Sequence, residues 1–268
     1  MQKKVLVLDI DGTLTNSRKE ITDNTRRAIW DAILRGHQVV LASGRPTPGM
    51  RRYEKELELD RYGGYLLSYN GARIVECRTG EVIYQRILPQ GLLPELYRFA
   101  GQRHMGLSVC LGDTVISAFE PDEYISLEAG INGLPIRRVE DFLEFVDFDI
   151  HKCLMTAPGD QAAIYERELQ EKYGQTASIY RSEPYYVEVM PRDVTKASSI
   201  EKMLPVLGVD REHIICCGDG YNDISMIRYA GLGVAMANAQ PAVKEAADYI
   251  TASNDEDGIV QVIREFMK

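Results

Sequence analysis

Residues 5–15 read VLVLDIDGTLT, four consecutive aliphatic residues followed by a stretch that contains two aspartates, a glycine and two threonines. A continuous aliphatic run of this kind is typical of a strand buried on both faces of a parallel sheet. A helical pattern follows over residues 21–36, and HQVVLAS at 37–43 is a second buried-strand pattern. This β-α-β succession predicts a parallel sheet covered by helices, with two carboxylates at the end of its first strand.

The pattern changes at about residue 86. A hairpin turning at Thr79-Gly80 ends the first part, and residues 86–184 then carry strand-like and helical pieces, including a hairpin turning at Gly112-Asp113. The β-α pattern resumes at residue 185. We therefore predict an α/β fold: a Rossmann-like, doubly wound parallel-sheet core formed by residues 1–85 and 185–268, with an inserted α+β domain at 86–184.

The second core segment contains short apolar runs and helical patterns in alternation. Strands are predicted at 213–219 and 232–238. Helices are predicted at 195–209, 221–231, 240–250 and 255–268.

Composition and charge narrow the class of function. The 268 residues are 45% hydrophobic and 26% charged, and 31 basic against 40 acidic residues give a net charge of −9. Such a charge repels polyanions and argues against general nucleic-acid binding. No stretch approaches the 18 apolar residues of a membrane span, and the first residues do not resemble a signal peptide. The five cysteines form no CxxC pair, which favours a reducing compartment and predicts a cytoplasmic protein.

Polar residues gather where the predicted core strands end. Ligands of open α/β sheets bind beyond the carboxyl ends of the strands, so this clustering indicates a site. The residues at these positions are Asp9, Asp11 and Thr13 after the first strand, Ser43, Gly44 and Arg45 after the second, Asn70 after the third, and Asp219, Asn222 and Asp223 in the late GDGYND stretch, with Lys196 at the start of the helix before it.

The acids among these residues predict a metal ion. Several converging carboxylates repel each other unless a cation lies between them, and oxygen ligands without His or Cys indicate a hard ion, with Mg²⁺ the natural candidate. Any one of these aspartates alone would more often be a turn or helix-capping residue. Their recurrence at two strand ends, together with Ser, Asn and Lys, favours the site.

Four stretches in this order carry a family resemblance. DIDGTLT, LASGRP, the lysine of DVTKASSI, and GDGYNDISMI resemble the four motifs of the haloacid dehalogenase-like phosphohydrolases. The inserted segment resembles the large α/β cap of the Cof-type sugar-phosphate phosphatase branch. The resemblance implies a Mg²⁺-dependent phosphatase that hydrolyses a small phosphorylated metabolite, a sugar phosphate or a phosphorylated cofactor, through an aspartyl-phosphate intermediate.

The resemblance also implies roles for the acids. Asp9 would be the nucleophile and a metal ligand. Asp11 would be the general acid and then the base, and its main-chain carbonyl would bind the metal. Asp219 would bind Mg²⁺ directly, and Asp223 directly or through a water.

The remaining motif residues are implied to bind phosphate or substrate. Ser43 and Lys196 would hold phosphoryl oxygens, and Asn222 would orient the phosphate or Lys196. Gly12 would allow close approach of backbone N–H groups, Thr13 would brace the loop, and Gly44 and Arg45 belong to the same set. The third motif departs from the frequent Lys-Gly, because alanine follows Lys196.

The sequence leaves several alternatives open. A phosphomutase or phosphotransferase could use the same aspartyl-phosphate, and a non-catalytic phosphometabolite-binding protein could retain the scaffold. Substrate identity and oligomeric state are not predicted. Five further residues could contact substrate or be structural, namely Lys152, Arg181, Tyr185 and Glu188 in or near the insert, and Asn238 near the motifs.

Overall fold

The computed structural model describes residues 3–268, which divide into two compact units. The first unit runs to Tyr84 and resumes from Thr195 to Lys268, and the second comprises Gln85–Val194. The chain therefore returns to the first unit at residue 195 and not at the predicted 185. The reason is that Tyr186–Pro191 forms a strand that pairs on both sides with strands of the second unit.

The described residues contain fourteen strands and eleven α-helices. The strands are β1 (Val5–Leu8), β2 (Gln38–Ala42), β3 (Tyr65–Ser68), β4 (Arg73–Glu76), β5 (Val82–Gln85), β6 (Gly106–Leu111), β7 (Thr114–Ser117), β8 (Ile136–Arg138), β9 (Cys153–Thr156), β10 (Ala177–Glu183), β11 (Tyr186–Pro191), β12 (Ile214–Gly218), β13 (Leu232–Ala235) and β14 (Tyr249–Ile250). The helices are α1 (Asp23–Leu34), α2 (Thr47–Glu56), α3 (Leu59–Tyr62), α4 (Leu92–Arg103), α5 (Glu123–Asn132), α6 (Phe142–Phe145), α7 (Gly159–Tyr173), α8 (Lys196–Leu207), α9 (Ile224–Tyr229), α10 (Pro241–Ala246) and α11 (Gly258–Phe266).

The first unit is built on one sheet with the strand order β14-β13-β12-β1-β2-β3-β4-β5. The six strands from β14 to β3 are parallel, and β4 pairs antiparallel with β3. Every residue of β1 is buried, because Leu6 and Leu8 pack under α1, α2 and α11 while Val5 and Val7 pack under α8 and α9. The predicted Rossmann-like, doubly wound α/β core is confirmed.

Most local predictions in this unit agree with the structure, and one is wrong. The hairpin at Thr79-Gly80 joins β4 to β5, and α8 continues through Pro205 as predicted. The helix predicted over 240–250 ends at Ala246, and Tyr249–Ile250 is a strand. This segment leaves the helix because it pairs with β13 at the edge of the sheet.

The second unit has a sheet of its own, with the strand order β10-β11-β9-β6-β7-β8. Neighbouring strands are antiparallel except β7 and β8. One face packs against α4 and α7 through residues such as Leu96, Leu107 and Leu169. The hairpin predicted at Gly112-Asp113 joins β6 to β7, where Gly112 has a positive φ of 55°.

No helix within residues 3–268 is long and apolar enough to span a bilayer.

Candidate active site

The end of β1 places Asp9 in the interior of the first unit. Its backbone N–H still bonds to the carbonyl of Cys217 in β12, so the residue is fixed to the sheet. The chain then turns back, and the N–H of Leu14 bonds to the carbonyl of Asp9. Only 6% of Asp9 is exposed. A carboxylate in this position is desolvated, which is costly unless charged or hydrogen-bonded partners surround it.

Lys196 is that partner. It opens α8, whose N-terminus is fixed by a reciprocal pair of hydrogen bonds between Thr195 and Ser198. The buried Nζ donates to Oδ1 of Asp9 and to Oδ1 of Asp223, each at 2.6 Å. Burial alone would lower the pKa of Lys196, but the charges of Asp223 and Asp9 outweigh it and raise the pKa. Lys196 is therefore an ammonium that bridges two buried acids.

The loop after β12 supplies the other two acids. Asp223 is fully buried, and its Oδ2 accepts the N–H groups of Asp219 at 3.0 Å and Gly220 at 2.9 Å, so the loop is wrapped around its carboxylate. Thr13 donates its hydroxyl to Oδ1 of Asp219 at 2.7 Å. Thr13, which we predicted to brace its loop, thus holds an acid from a different strand end.

Asp9, Asp219 and Asp223 form a set of possible metal ligands. Each offers a carboxylate oxygen, and these oxygens all lie within 4.8 Å of one another. Burial, and next the charge of Asp223, raises the pKa of Asp9 well above its usual value, and burial raises the pKa of Asp219 to about 6. Three carboxylates face one ammonium in this cluster, which leaves two acids uncompensated. An all-oxygen set with this charge imbalance fits a hard divalent cation.

The side chain of Asp11 points to different partners. Arg45 donates Nε to Oδ2 at 2.7 Å and Nη2 to Oδ1 at 2.8 Å, and Lys19 donates Nζ to Oδ1 at 2.9 Å. Partial burial would raise the pKa of Asp11, but the hydrogen bonds and charges of Arg45 and Lys19 lower it to about 2. Arg45, which the resemblance implied in phosphate or substrate binding, here binds an acid of the site. Lys19 was missed, because it lies outside the four motifs.

The remaining motif residues meet around Asn70. Its backbone N–H bonds to the carbonyl of Ser43 at 2.9 Å, and its side-chain Oδ1 accepts the amide of Asn222 at 3.0 Å. Asn70 has a left-handed φ of 52°, and a Cβ on Gly44 would lie 3.2 Å from its Nδ2. The amide of Asn222 donates to the side chain of Asn70, and its predicted role in orienting the phosphate or Lys196 stays a prediction.

The residues that sequence alone left as substrate-binding or structural have protein partners. Glu188 is buried and accepts a hydrogen bond of 3.1 Å from Nζ of Lys152. The hydroxyl groups of Tyr180 and Ser182 also donate hydrogen bonds to it. Arg181 forms an ion pair with Glu166, and the ring of Tyr185 stacks on that of Tyr124, with 4.7 Å between the ring centroids. Asn238 donates to the carbonyl of Gly12 at 2.8 Å, which ties it to the loop after β1.

Comparison with known proteins gives the family. A family model described as haloacid dehalogenase-like hydrolase matches residues 6–263. The chain belongs to the haloacid dehalogenase-like hydrolase family. Among curated relatives, the 5-amino-6-(5-phospho-D-ribitylamino)uracil phosphatase YcsE of Bacillus subtilis is 30% identical, and the match covers 98% of this chain and 96% of YcsE.

Solved structures of this family share the fold over nearly the whole chain. A haloacid dehalogenase-like hydrolase from Bacteroides thetaiotaomicron is 41% identical, with a TM-score of 0.94 over 98% of this chain and 99% of that one. The subclass IIB sugar phosphatase BT4131 is 28% identical, with a TM-score of 0.84 over 98% and 99%. The predicted family is confirmed, and the chain is an enzyme, a phosphatase of the haloacid dehalogenase-like hydrolase family.

Gly12 provides a test of how tightly the loop after β1 fits the acids. Its φ is +86°, and a Cβ there would collide with the carboxylate of Asp219. Gly12→Ala is therefore expected to displace Asp219 and to lower the free energy of unfolding by about 1–3 kcal/mol, as strained backbone and overpacking do. Urea denaturation measures the loss.

Gly80→Ala is the matched control for Gly12→Ala. Gly80 has a similar φ of +74°, but no atom lies within 4 Å of a Cβ built on it. The free energy of unfolding of Gly80→Ala should fall only by the cost of the strained backbone. Equal losses in the two variants would contradict the contact with Asp219.

Proposed function

We propose that this phosphatase hydrolyses small phosphorylated metabolites with Mg²⁺, and that Asp9 carries the phosphoryl group as an aspartyl-phosphate. The observation that supports the proposal best is the cluster of Asp9, Asp219 and Asp223 around the buried ammonium of Lys196. A carboxylate at a strand end, held by a fixed cation and facing two further acids, is the arrangement that metal-assisted nucleophilic attack on phosphorus needs.

Asp9, Asp219 and Asp223 would hold Mg²⁺, together with the main-chain carbonyl of Asp11. When bound, Mg²⁺ supplies charge neutralisation, which lets a carboxylate approach an anionic phosphoryl group. Lys196 contributes a second fixed positive charge. It contacts only Oδ1 of Asp9, so Oδ2 of the same carboxylate has no bond to this lysine and can carry the attack.

The proposed reaction has two balanced steps. Asp11 is ionised in the free protein, where Arg45 and Lys19 lower its pKa to about 2, so in the proposed reaction it takes up a proton when the substrate binds. In the first step, an oxygen of Asp9 forms a bond to phosphorus while the ester P–O bond breaks, and the leaving alkoxide takes that proton from Asp11. In the second, Asp11 accepts a proton from water as that water attacks phosphorus, which releases inorganic phosphate and restores the Asp9 carboxylate. Ser43 and Lys196 would hold the phosphoryl oxygens during both steps.

The names of two relatives suggest the substrate class. BT4131 is named a sugar phosphatase, and YcsE is named for a substrate with a phosphorylated ribityl group. Both names describe a phosphate ester of a polyhydroxylated carbon chain. We therefore propose a phosphorylated sugar, or a cofactor precursor carrying a phosphorylated sugar or polyol, as the substrate.

The cytoplasmic location inferred from the five cysteines, which are not joined in disulfides within the described chain, stays a prediction.

A phosphate-release screen tests this function. Purified protein is incubated with a panel of sugar phosphates, polyol phosphates and phosphorylated cofactors, with MgCl₂ or with EDTA. Steady, Mg²⁺-dependent release from at least one polyol or sugar phosphate is expected. Conversion of a substrate to a phosphate isomer would indicate a mutase, and saturable binding without turnover would indicate a non-catalytic binding protein.

The raised pKa of Asp219 gives a pH dependence to Mg²⁺ binding. Below its pKa of about 6 this acid carries a proton, which it must lose before it can bind a metal. An unfolded aspartate has a pKa of about 3.9, so between that value and about 6 the folded, metal-free protein holds the extra proton and loses stability as the pH rises.

The rise in melting temperature caused by MgCl₂ should therefore be larger at pH 7 than at pH 5. Thermal unfolding with MgCl₂ and with EDTA at the two pH values measures it. Asp219→Asn is the control and should lose most of the rise. A rise at pH 5 as large as that at pH 7 would be inconsistent with Asp219 as a ligand.

A further inference from the structure

Asn70 joins the loops on the two sides of β1, the strand that leads to Asp9. In the sheet β1 lies between β2 and β12, and Ser43 follows β2 while Asn222 follows β12. The backbone N–H of Asn70 donates to the carbonyl of Ser43 at 2.9 Å, and its side-chain Oδ1 accepts the amide of Asn222 at 3.0 Å. One residue of a third strand end thus spans the place where the nucleophile lies.

We propose that Asn70 is a positioning residue for phosphoryl binding: it holds the amide of Asn222 at a fixed place relative to Ser43, so that both can bind one phosphoryl group. The Nδ2 atom of Asn222 carries two hydrogens. One bonds to Asn70, and the second can donate to a phosphoryl oxygen. The role of Asn70 rests on the proposed function, in which Ser43 holds phosphoryl oxygens, and on the role predicted for Asn222.

The backbone of the turn after β3 is shaped for this link. Tyr69 and Asn70 have left-handed φ values of 51° and 52°, and Gly71 follows with +108°. Left-handed backbone is unfavourable for residues with a Cβ, above all for bulky ones such as tyrosine. It turns successive N–H groups to the same side, so Tyr69 bonds to the carbonyl of Arg45 and Asn70 to that of Ser43. The strained turn therefore holds the loop after β2 at two carbonyls.

The start of α8 fixes the same turn. Ser199 donates its hydroxyl to the carbonyl of Gly71 at 2.8 Å. A Cβ on Gly71 would collide with that hydroxyl and would lie 2.9 Å from the carbonyl oxygen of Thr195. Asn70 itself is only 8% exposed. The turn is thus packed against the helix that Lys196 opens, and Asn70 is a rigid partner for the residues it contacts.

Asn222 needs a rigid partner because its own side chain is exposed. It lies in the single turn Tyr221–Asp223, at the surface of the first unit. An exposed amide samples several rotamers, and fixing one of them when phosphate binds weakens the binding. The bond to the buried Asn70 restricts these rotamers in the free protein. The entropy is then lost on folding, and the amide is already in place when the phosphoryl group arrives.

Stability does not account for asparagine at position 70. Asparagine tolerates left-handed backbone better than most residues, but glycine adopts it with no Cβ at all. A hydrogen bond to an exposed amide contributes little to folding, because water replaces it in the unfolded chain. The side chain of Asn70 is accounted for by the group that it holds.

A double-mutant cycle in the binding of inorganic phosphate tests whether Asn70 acts through Asn222. Isothermal titration calorimetry in MgCl₂ gives the Kd. Asn70→Gly keeps the N–H that bonds to Ser43, and it is expected to raise the Kd about fivefold, the effect of one net hydrogen bond. In the Asn222→Ala background the same change should have almost no effect. An equal loss in both backgrounds would overturn the proposal, since Asn70 would then act without Asn222.

Steady-state kinetics give a second readout. With D-ribose 5-phosphate as the probe, Asn70→Gly should raise KM about fivefold and leave kcat within about twofold, because the phosphoryl oxygens are held in the bound substrate and in the transition state alike. A loss in kcat with KM unchanged would overturn the proposal.

Glu58→Gly is the matched control for Asn70→Gly. Glu58 has a similar φ of 53° in the same unit, and its side chain pairs with Arg61 and not with a residue of the site. Glycine relieves the same backbone conformation there. Its KM and its Kd for phosphate should equal those of the wild type, and a fivefold change in this variant would overturn the assignment to the side chain of Asn70.

Two measurements need neither phosphate nor turnover. Crystals of Asn70→Gly should show the amide of Asn222 turned from its wild-type position, whereas Asn70→Asp keeps an acceptor oxygen and should leave it in place. An unmoved Asn222 in Asn70→Gly would overturn the proposal. The resistance of Asn70→Gly to urea should be close to that of the wild type; a clear loss would indicate a structural role and overturn the proposal. If the wild type neither binds phosphate nor releases it from any substrate, the proposed function fails, while these two measurements still report on Asn70 and Asn222.

Discussion

Asp9→Asn is expected to reduce phosphate release by about 10³-fold or more on the best substrate of the wild type. An amide oxygen is a poor nucleophile, and it cannot form the acyl-phosphate on which the proposed reaction depends. The substitution keeps the volume of the side chain, and its remaining oxygen can still accept the hydrogen bond of Lys196. Initial rates of phosphate release with saturating MgCl₂ measure the effect.

The same variant should remain folded. Asp9 is one of three acids facing one ammonium, and burial already raises its pKa, so removing its charge relieves repulsion in the metal-free protein. Its melting temperature in EDTA is expected to equal or exceed that of the wild type. Asp31→Asn on the exposed side of α1 is the matched control and should retain full activity. Full activity in Asp9→Asn would show that Asp9 is not the nucleophile.

Lys196→Met is expected to combine the loss of activity with a large loss of stability. The substitution leaves Asp9 and Asp223 buried without their shared ammonium, which costs about 3–5 kcal/mol for a broken buried ion pair. Methionine fills much of the space, so the loss reports the charge and not a cavity. Urea denaturation in EDTA at pH 7 measures it.

The pH dependence of that loss identifies its cause. Burial and the neighbouring acid raise the pKa of Asp9, and without the lysine this carboxyl would hold its proton still more tightly. A folded-state pKa above the unfolded value makes an acid cost stability as the pH rises, so the deficit of Lys196→Met should be smaller at pH 5 than at pH 7. Lys202→Met, an exposed lysine on the same helix, is the control. A deficit that does not change with pH would argue against charge as the cause.

Much of the fold and site follows from local sequence. The aliphatic run before Asp9 and the apolar run before Asp219 are buried on both faces of a sheet, and parallel strands bring their carboxyl ends to one edge. The meeting of Asp9, Asp219 and Asp223 was therefore predictable from the strand patterns alone. Lys196 was a candidate because it lies at the start of a predicted helix beside these acids, and the resemblance implied its phosphate-binding role. Its bridge between Asp9 and Asp223 was not predicted.

What escaped prediction depends on partners distant in sequence. Tyr186–Pro191 has the pattern of a strand, but only its pairing with β9 and β10 decides that it belongs to the second unit. Tyr249–Ile250 continues a helical pattern, yet pairing with β13 makes it a strand. Lys19 reaches Asp11 through a left-handed turn, and neither the spacing of the two residues nor a motif reveals that turn.

The central claim is that Asp9 carries the phosphoryl group covalently. Rapid acid quenching during turnover of the best substrate with MgCl₂, followed by borohydride reduction and peptide mass spectrometry, tests it most directly. The expected result is reduction of residue 9 to homoserine, in the wild type and more strongly in Asp11→Ala, where hydrolysis of the intermediate is slowed. Turnover with residue 9 unmodified, or with the modification on another residue, would contradict the account.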